Sequence, residues 1–146
     1  MRSRMSTALL DACCVLAFVI IGRASHAKGE SLAGITSTAW PFLTGLLCGW
    51  VATRAWRRPL ALAPAGLGAW LGTVAVGMVL RVVAGQGTAF AFICVALAFL
   101  GLFLLGWRLA WRVACRLLAA RRAPAPPRQP SAALRAPLRV SPLAWQ

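Results

Sequence analysis

Residues 59–80 read PLALAPAGLGAWLGTVAVGMVL, without a single charge. At a helical rise of about 1.5 Å per residue this stretch is about 33 Å long, enough to cross a hydrocarbon core of roughly 30 Å. Arg57 and Arg58 precede it and Arg81 closes it. A helix in a water-soluble protein keeps a polar face over such a length. This stretch has none, so the surroundings it requires are apolar on every side, and it is read as a membrane span.

Three other runs obey the same logic, which gives spans at about 5–22, 38–53, 62–83 and 88–107. The chain is 60% hydrophobic and 12% charged, whereas soluble domains lie nearer one half and one quarter. The expected fold is all-α: a polytopic membrane protein with four transmembrane helices in an up-down bundle, occupying 1–111. A basic juxtamembrane helix over 108–122 and a Pro/Arg-rich disordered tail over 123–146 are expected beyond it. Six of the nine prolines fall in that tail, a composition that does not support a packed core.

Asp11 interrupts the first run. A signal peptide cut after Ala27 competes with a retained helix, because Ser25 and Ala27 are small. Asp11 inside the apolar run and Arg23 before the candidate cut favour retention. A polar loop with Arg23, His26, Lys28 and Glu30 follows. The second span is expected to begin at Thr38, a capping residue type, with Pro41 in its first turn. The uncharged stretch reaches back to Ser31, which leaves an earlier start open. Pro59 and Pro64 mark the start of the third span, with the regular helix from Pro64, and Gly85, Gln86 and Gly87 form a turn. Arg108, Arg112 and Arg116 recur every fourth residue and share one helical face.

The net charge of +14 flanks the apolar spans rather than forming a nucleic-acid surface, so no nucleic-acid partner is expected. With the N-terminus inside, the inner side holds Arg2, Arg4, Arg54, Arg57, Arg58 and every arginine from Arg108 onward. The outer side holds Arg23, Lys28 and Arg81. This bias places both termini in the cytoplasm of a bacterial host whose plasma membrane the chain crosses. Trp40, Trp56, Trp107 and Trp111 fall at span ends, as interfacial anchors do. The bilayer is the principal partner, and anionic lipids suit the inner basic segments at about 1 kcal/mol per residue.

Asp11 sits roughly 10 Å along its helix. An unpaired carboxylate there costs on the order of 3 kcal/mol. It is either a structural partner for an inner arginine, such as Arg54 or Arg108, or a proton site in a transporter. Four spans with one acid in the first is the layout of small multidrug exporters, although the charge bias here argues against their dual topology. Arg23, His26 and Arg81 form a second group at the outer rim. Two guanidiniums and an imidazole suit a carboxylate or phosphate, and interfacial snorkelling with a solvated histidine is the plainer reading. Gly45 and Gly49, and Gly68, Gly72 and Gly77, are spaced to let helices approach closely.

The five cysteines show no metal-binding or redox spacing and are read as small apolar residues. No metal and no cofactor is expected. One histidine, two acids and no tyrosine provision catalysis poorly, and no phosphate-binding glycine loop is present. An enzyme is not expected.

Gly22-Arg23 followed by His26, then Trp40-Pro41-Phe42 with Gly45, then Gly77-Met78 followed by Arg81 and Gly85, resemble the bacterial domain-of-unknown-function 3054 family. The resemblance covers about residues 10–111 and leaves out the basic tail. It implies a small multi-span membrane protein, draws attention to Arg23, His26, Trp40, Pro41 and Arg81, and brings no assigned reaction.

Two functions from different classes follow. One is a non-catalytic accessory or structural membrane protein, assembled as a homo-oligomer or with a membrane partner protein. The other is a small ion-coupled transporter or channel, with Asp11 as coupling group and Arg23, His26 and Arg81 as an anion-recognising site. Lipid head-group handling at the outer rim is a third, weaker idea.

Overall fold

A computed structural model describes residues 2–24 and 31–122, with side chains from Arg4 onward. His26, Lys28, Glu30 and the expected tail lie outside the described residues. Every regular element among the described residues is a helix, and four helices are long and apolar enough to cross a membrane. They are α1 (Arg2–Ala24), α2 (Leu32–Ala52), α3 (Leu67–Val83) and α4 (Phe90–Arg122). They run alternately up and down. One end of the bundle, here basal, carries the start of α1 and the far end of α4. The other end is apical.

The second span starts earlier than Thr38. Ser31, in extended conformation, accepts a hydrogen bond from the Gly34 amide at 3.1 Å and caps α2. Pro41 therefore lies inside the helix and not in its first turn. A proline there leaves the carbonyl four residues back without its partner. That carbonyl belongs to Ser37, and the Gln86 side-chain amide donates to it at 2.7 Å. The proline is thus tolerated because a remote side chain replaces the missing N–H. Thr38 turns its hydroxyl back onto the Gly34 carbonyl at 2.9 Å.

The third span covers Leu62–Val83, but its regular helix begins at Leu67 rather than Pro64. Ala63 has extended dihedrals inside a wide first turn over Leu62–Gly66, and the Ala63–Pro64 peptide is cis. Gly85 and Gly87 have φ of 67° and 71°, the left-handed conformation that glycine adopts without steric penalty. The fourth span and the juxtamembrane segment are one continuous helix of 33 residues, about 50 Å long. Residues 109–122 of it are exposed throughout.

The most closely packed pair is α2 with α3. A Cβ on Gly45 would lie 2.7 Å from the Gly72 carbonyl oxygen, and one on Gly72 would lie 2.6 Å from the Gly49 Cα. One on Gly49 would overlap the Gly68 carbonyl, and one on Gly77 would lie 2.8 Å from the Phe42 ring. The expected glycine faces therefore meet each other inside one bundle. Where water drives no apolar burial, such close backbone approach supplies the packing energy.

Val15, Phe18, Val19, Phe42, Leu46, Val74, Leu100 and Leu104 form the core. Phe18 meets Phe42 edge-on at 5.4 Å and Phe99 at 5.6 Å. Leu9, Ile20, Leu47, Val51, Leu71, Val79 and Leu102 point outward. In water such a surface would drive association; in a bilayer it is the face that contacts lipid. Cys13, Cys48, Cys94 and Cys115 share this exposed surface as free thiols, while Cys14 is half-buried.

Candidate functional site

At the basal end, Asp11 and Arg108 are both 0% exposed. Arg108 Nη1 donates to Asp11 Oδ1 at 2.7 Å and Nη2 to Oδ2 at 2.6 Å. This is the bidentate fork that suits guanidinium and carboxylate geometry. Trp50 Nε1 adds a bond to Oδ2 at 2.9 Å, and Trp107 Nε1 adds one to Oδ1 at 3.0 Å. Each oxygen thus accepts from two donors, which fills the four lone-pair positions a carboxylate has. Arg108 also donates from Nη1 to the Leu104 carbonyl at 2.7 Å and from Nε to the Pro59 carbonyl at 3.2 Å. The Trp107 ring lies 4.6 Å from its guanidinium carbon.

Of the two inner arginines considered for Asp11, it is Arg108 that meets it; Arg54 is exposed at the end of α2. Arg108 does not share the environment of Arg112 and Arg116, which are exposed. Trp107, expected as an interfacial anchor, is half-buried and serves the carboxylate instead. Trp40, Trp56 and Trp111 are 43%, 39% and 55% exposed. Trp50 was not singled out from the sequence. The available signal was its place at the basal end of an apolar helix, where an indole N–H needs an acceptor.

At the apical end, Arg23 and Arg81 line one cleft of about 640 Å³, with Phe18, Val19, Thr88 and Phe92 among its walls. Arg23 Nη1 donates to Thr38 Oγ1 at 3.2 Å. Its guanidinium lies against Gly34, where a Cβ would collide with it. Arg81 Nη1 donates to Gln86 Oε1 at 3.0 Å, and Nη2 approaches the Gln86 and Gly87 carbonyls at 3.4 and 3.3 Å. The Phe92 ring is 4.6 Å from the Arg81 guanidinium carbon and the Phe42 ring 5.8 Å. Arg81 Nε is buried without a hydrogen-bond partner among the described residues. Gln86, seen in the sequence as one residue of a turn, joins Arg81 to the Ser37 carbonyl of α2. His26 lies outside the described residues.

A groove of about 540 Å³ at the basal surface is lined by Arg58, Trp111, Arg112 and Arg116 among others. Among the described residues, no group of three His, Cys, Asp or Glu side chains is placed to hold a metal ion.

A family model described as "Protein of unknown function (DUF3054)" matches residues 8–111. That match takes in most of all four spans and both polar sites, and ends three residues into the exposed part of α4. No curated protein and no solved structure matches the chain.

Proposed function

The chain belongs to the DUF3054 family, and from the basal site we propose that it is a non-catalytic accessory or structural membrane protein. It resides in a bacterial plasma membrane with both termini in the cytoplasm. The observation that carries this reading is the saturation of Asp11. The one acid among the described residues accepts four donors at 2.6–3.0 Å. All four of its lone-pair positions are taken in a site sealed from solvent, where charge-assisted bonds are strongest, so none is left for a transported ion. Asp11 therefore serves as a lock between the first and last helices, not as the coupling group of a transporter. The same pairing removes it from general acid–base work, which supports a role without catalysis.

The orientation is supported by the two exposed basal clusters, Arg54, Arg57 and Arg58, and Arg112, Arg116, Arg121 and Arg122. Both lie at the basal end, with the start of α1 and the far end of α4, as cytoplasmic basic residues do.

Proton flux across reconstituted vesicles under an imposed pH gradient tests the reading. The expected flux equals that of protein-free vesicles, for the wild type and for Arg81→Gln alike. Sustained flux abolished by Asp11→Asn in a protein that remains folded would restore the transporter.

A further inference from the structure

We infer that the apical cleft binds an oxyanion carrying an apolar group, with the oxyanion at Arg81 and Arg23 and the apolar part against Phe18, Val19 and Phe92. The inference stands independently of the basal lock. Asp11, the one acid among the described residues, lies at the opposite end and is already paired with Arg108. Arg81 is packed against Phe92, and its acceptors are neutral oxygens from Gln86 and Gly87. Neutral carbonyls orient a guanidinium but leave its full charge uncompensated.

Its Nε–H has no acceptor among the described residues although the atom is buried. A buried donor of this kind is rare because each costs the desolvation of the group. Arg23 brings a second cation to the same cleft. Guanidinium groups bind carboxylate or phosphate through two parallel bonds. The Thr88 hydroxyl, which makes no hydrogen bond among the described residues, adds a neutral donor.

The remaining walls select more than a bare ion. Phe18, Val19 and Phe92 line the same cleft, and the Phe92 ring lies 4.6 Å from the Arg81 guanidinium carbon. A cleft of about 640 Å³ falls within the range of small-molecule sites, roughly 300–1,000 Å³, and is far larger than one phosphate group needs. Cationic groups and aromatic carbon lining one cleft match an amphiphile bearing one anionic group. The head group of a membrane lipid and a soluble organic anion share this chemistry.

Hexyl phosphate, titrated calorimetrically into the whole chain in a neutral detergent, is the probe. The expected result is saturable one-to-one binding, with inorganic phosphate and hexanol each at least tenfold weaker. Arg81→Gln should weaken binding at least tenfold. Because Arg81 also ties the turn before α4, that variant can fail to fold, and Gly22→Leu then decides. Gly22 lines the cleft, and a Cβ there meets nothing within 4 Å among the described residues, so the leucine occupies the cleft without displacing their packing. It too should weaken binding at least tenfold. Native mass spectrometry of protein drawn from its own membrane separates the two sources. A retained anionic lipid displaced by hexyl phosphate identifies a head group, and unchanged titration with no retained lipid identifies a soluble anion. Absence of saturable binding, or binding that Gly22→Leu leaves intact, overturns the assignment.

Discussion

Replacing Asp11 by Asn changes one atom and tests the basal site most sharply. The carboxylate accepts from Arg108 twice, from Trp50 and from Trp107. An asparagine offers one oxygen and an NH2 group that can only donate. Whichever way the amide turns, its nitrogen faces one Arg108 N–H and one indole N–H. Two bonds to a charged carboxylate, one from the guanidinium and one from an indole, each worth about 1.5–3 kcal/mol, are lost together. The guanidinium, 0% exposed, is left without its counter-charge, and breaking such a buried pair costs about 3–5 kcal/mol in all. Arg108→Met should cost a similar amount, because it strands the carboxylate. The pair of changes together should cost at least about 2 kcal/mol less than the sum of the single costs, since the second change removes a charge the first had stranded. Arg112→Met, one turn further along α4 and exposed, should lie within about 0.5 kcal/mol of the wild type. Reversible unfolding in mixed micelles of rising dodecyl sulfate fraction, followed by tryptophan fluorescence, reads all four proteins. A cost for Asp11→Asn below about 1 kcal/mol, or strictly additive single costs, would refute the lock.

Three further outcomes follow from the packing. Gly49→Ala drives a methyl into the Gly68 carbonyl and should cost about 1–3 kcal/mol in the same assay. Gly106→Ala, where a Cβ meets nothing within 4 Å, should be neutral or gain up to about 1 kcal/mol from helix propensity. Gln86→Ala removes the donor that serves the Ser37 carbonyl behind Pro41 and should cost about 1–3 kcal/mol, read by the same unfolding titration. At the basal groove, neutralising Arg58, Arg112 and Arg116 by glutamine should weaken the hold on anionic lipid by about 1 kcal/mol per residue. Native mass spectrometry of protein taken from mixed bilayers would show this as less anionic lipid retained than by the wild type.

Element types were legible in the sequence, because an uncharged run of span length has few other uses. The boundaries were less so, and each displaced boundary has a local cause. Thr38 and Pro41 looked like a helix start because threonine caps and proline suits a first turn. Ser31 was the actual cap, and Pro41 was rescued by Gln86, which is 49 positions away from Ser37 in sequence. No local rule reports such a partner. Pro64 looked like the first residue of a regular helix, but the extended dihedrals of Ala63 delay that helix to Leu67. The glycine spacings were visible, and the structure determines that they face each other across α2 and α3.

The choice of Arg108 over its neighbours shows why the basal site was only half legible. Arg108, Arg112 and Arg116 lie on one helical face, so periodicity alone cannot separate them. Direction and depth together do. A helical side chain leans toward its own N-terminus. On ascending α1 that turns Asp11 toward the base, and on descending α2 and α4 it turns Trp50, Trp107 and Arg108 toward the apex. Acceptor and donors therefore lean toward one another across antiparallel helices. Arg108 alone of the three stands opposite the carboxylate, and each later arginine lies about 6 Å further toward water. The expectation that an arginine at a span end snorkels outward reverses when its helix descends and an acid on a neighbouring ascending helix stands opposite it. By the same geometry, moving the arginine one turn outward, as Arg108→Leu in a chain that keeps Arg112, should not rescue Asp11. Its unfolding cost should match that of Arg108→Leu combined with Arg112→Leu, and a cost at least about 2 kcal/mol smaller than that of the combination would show that depth does not select the partner.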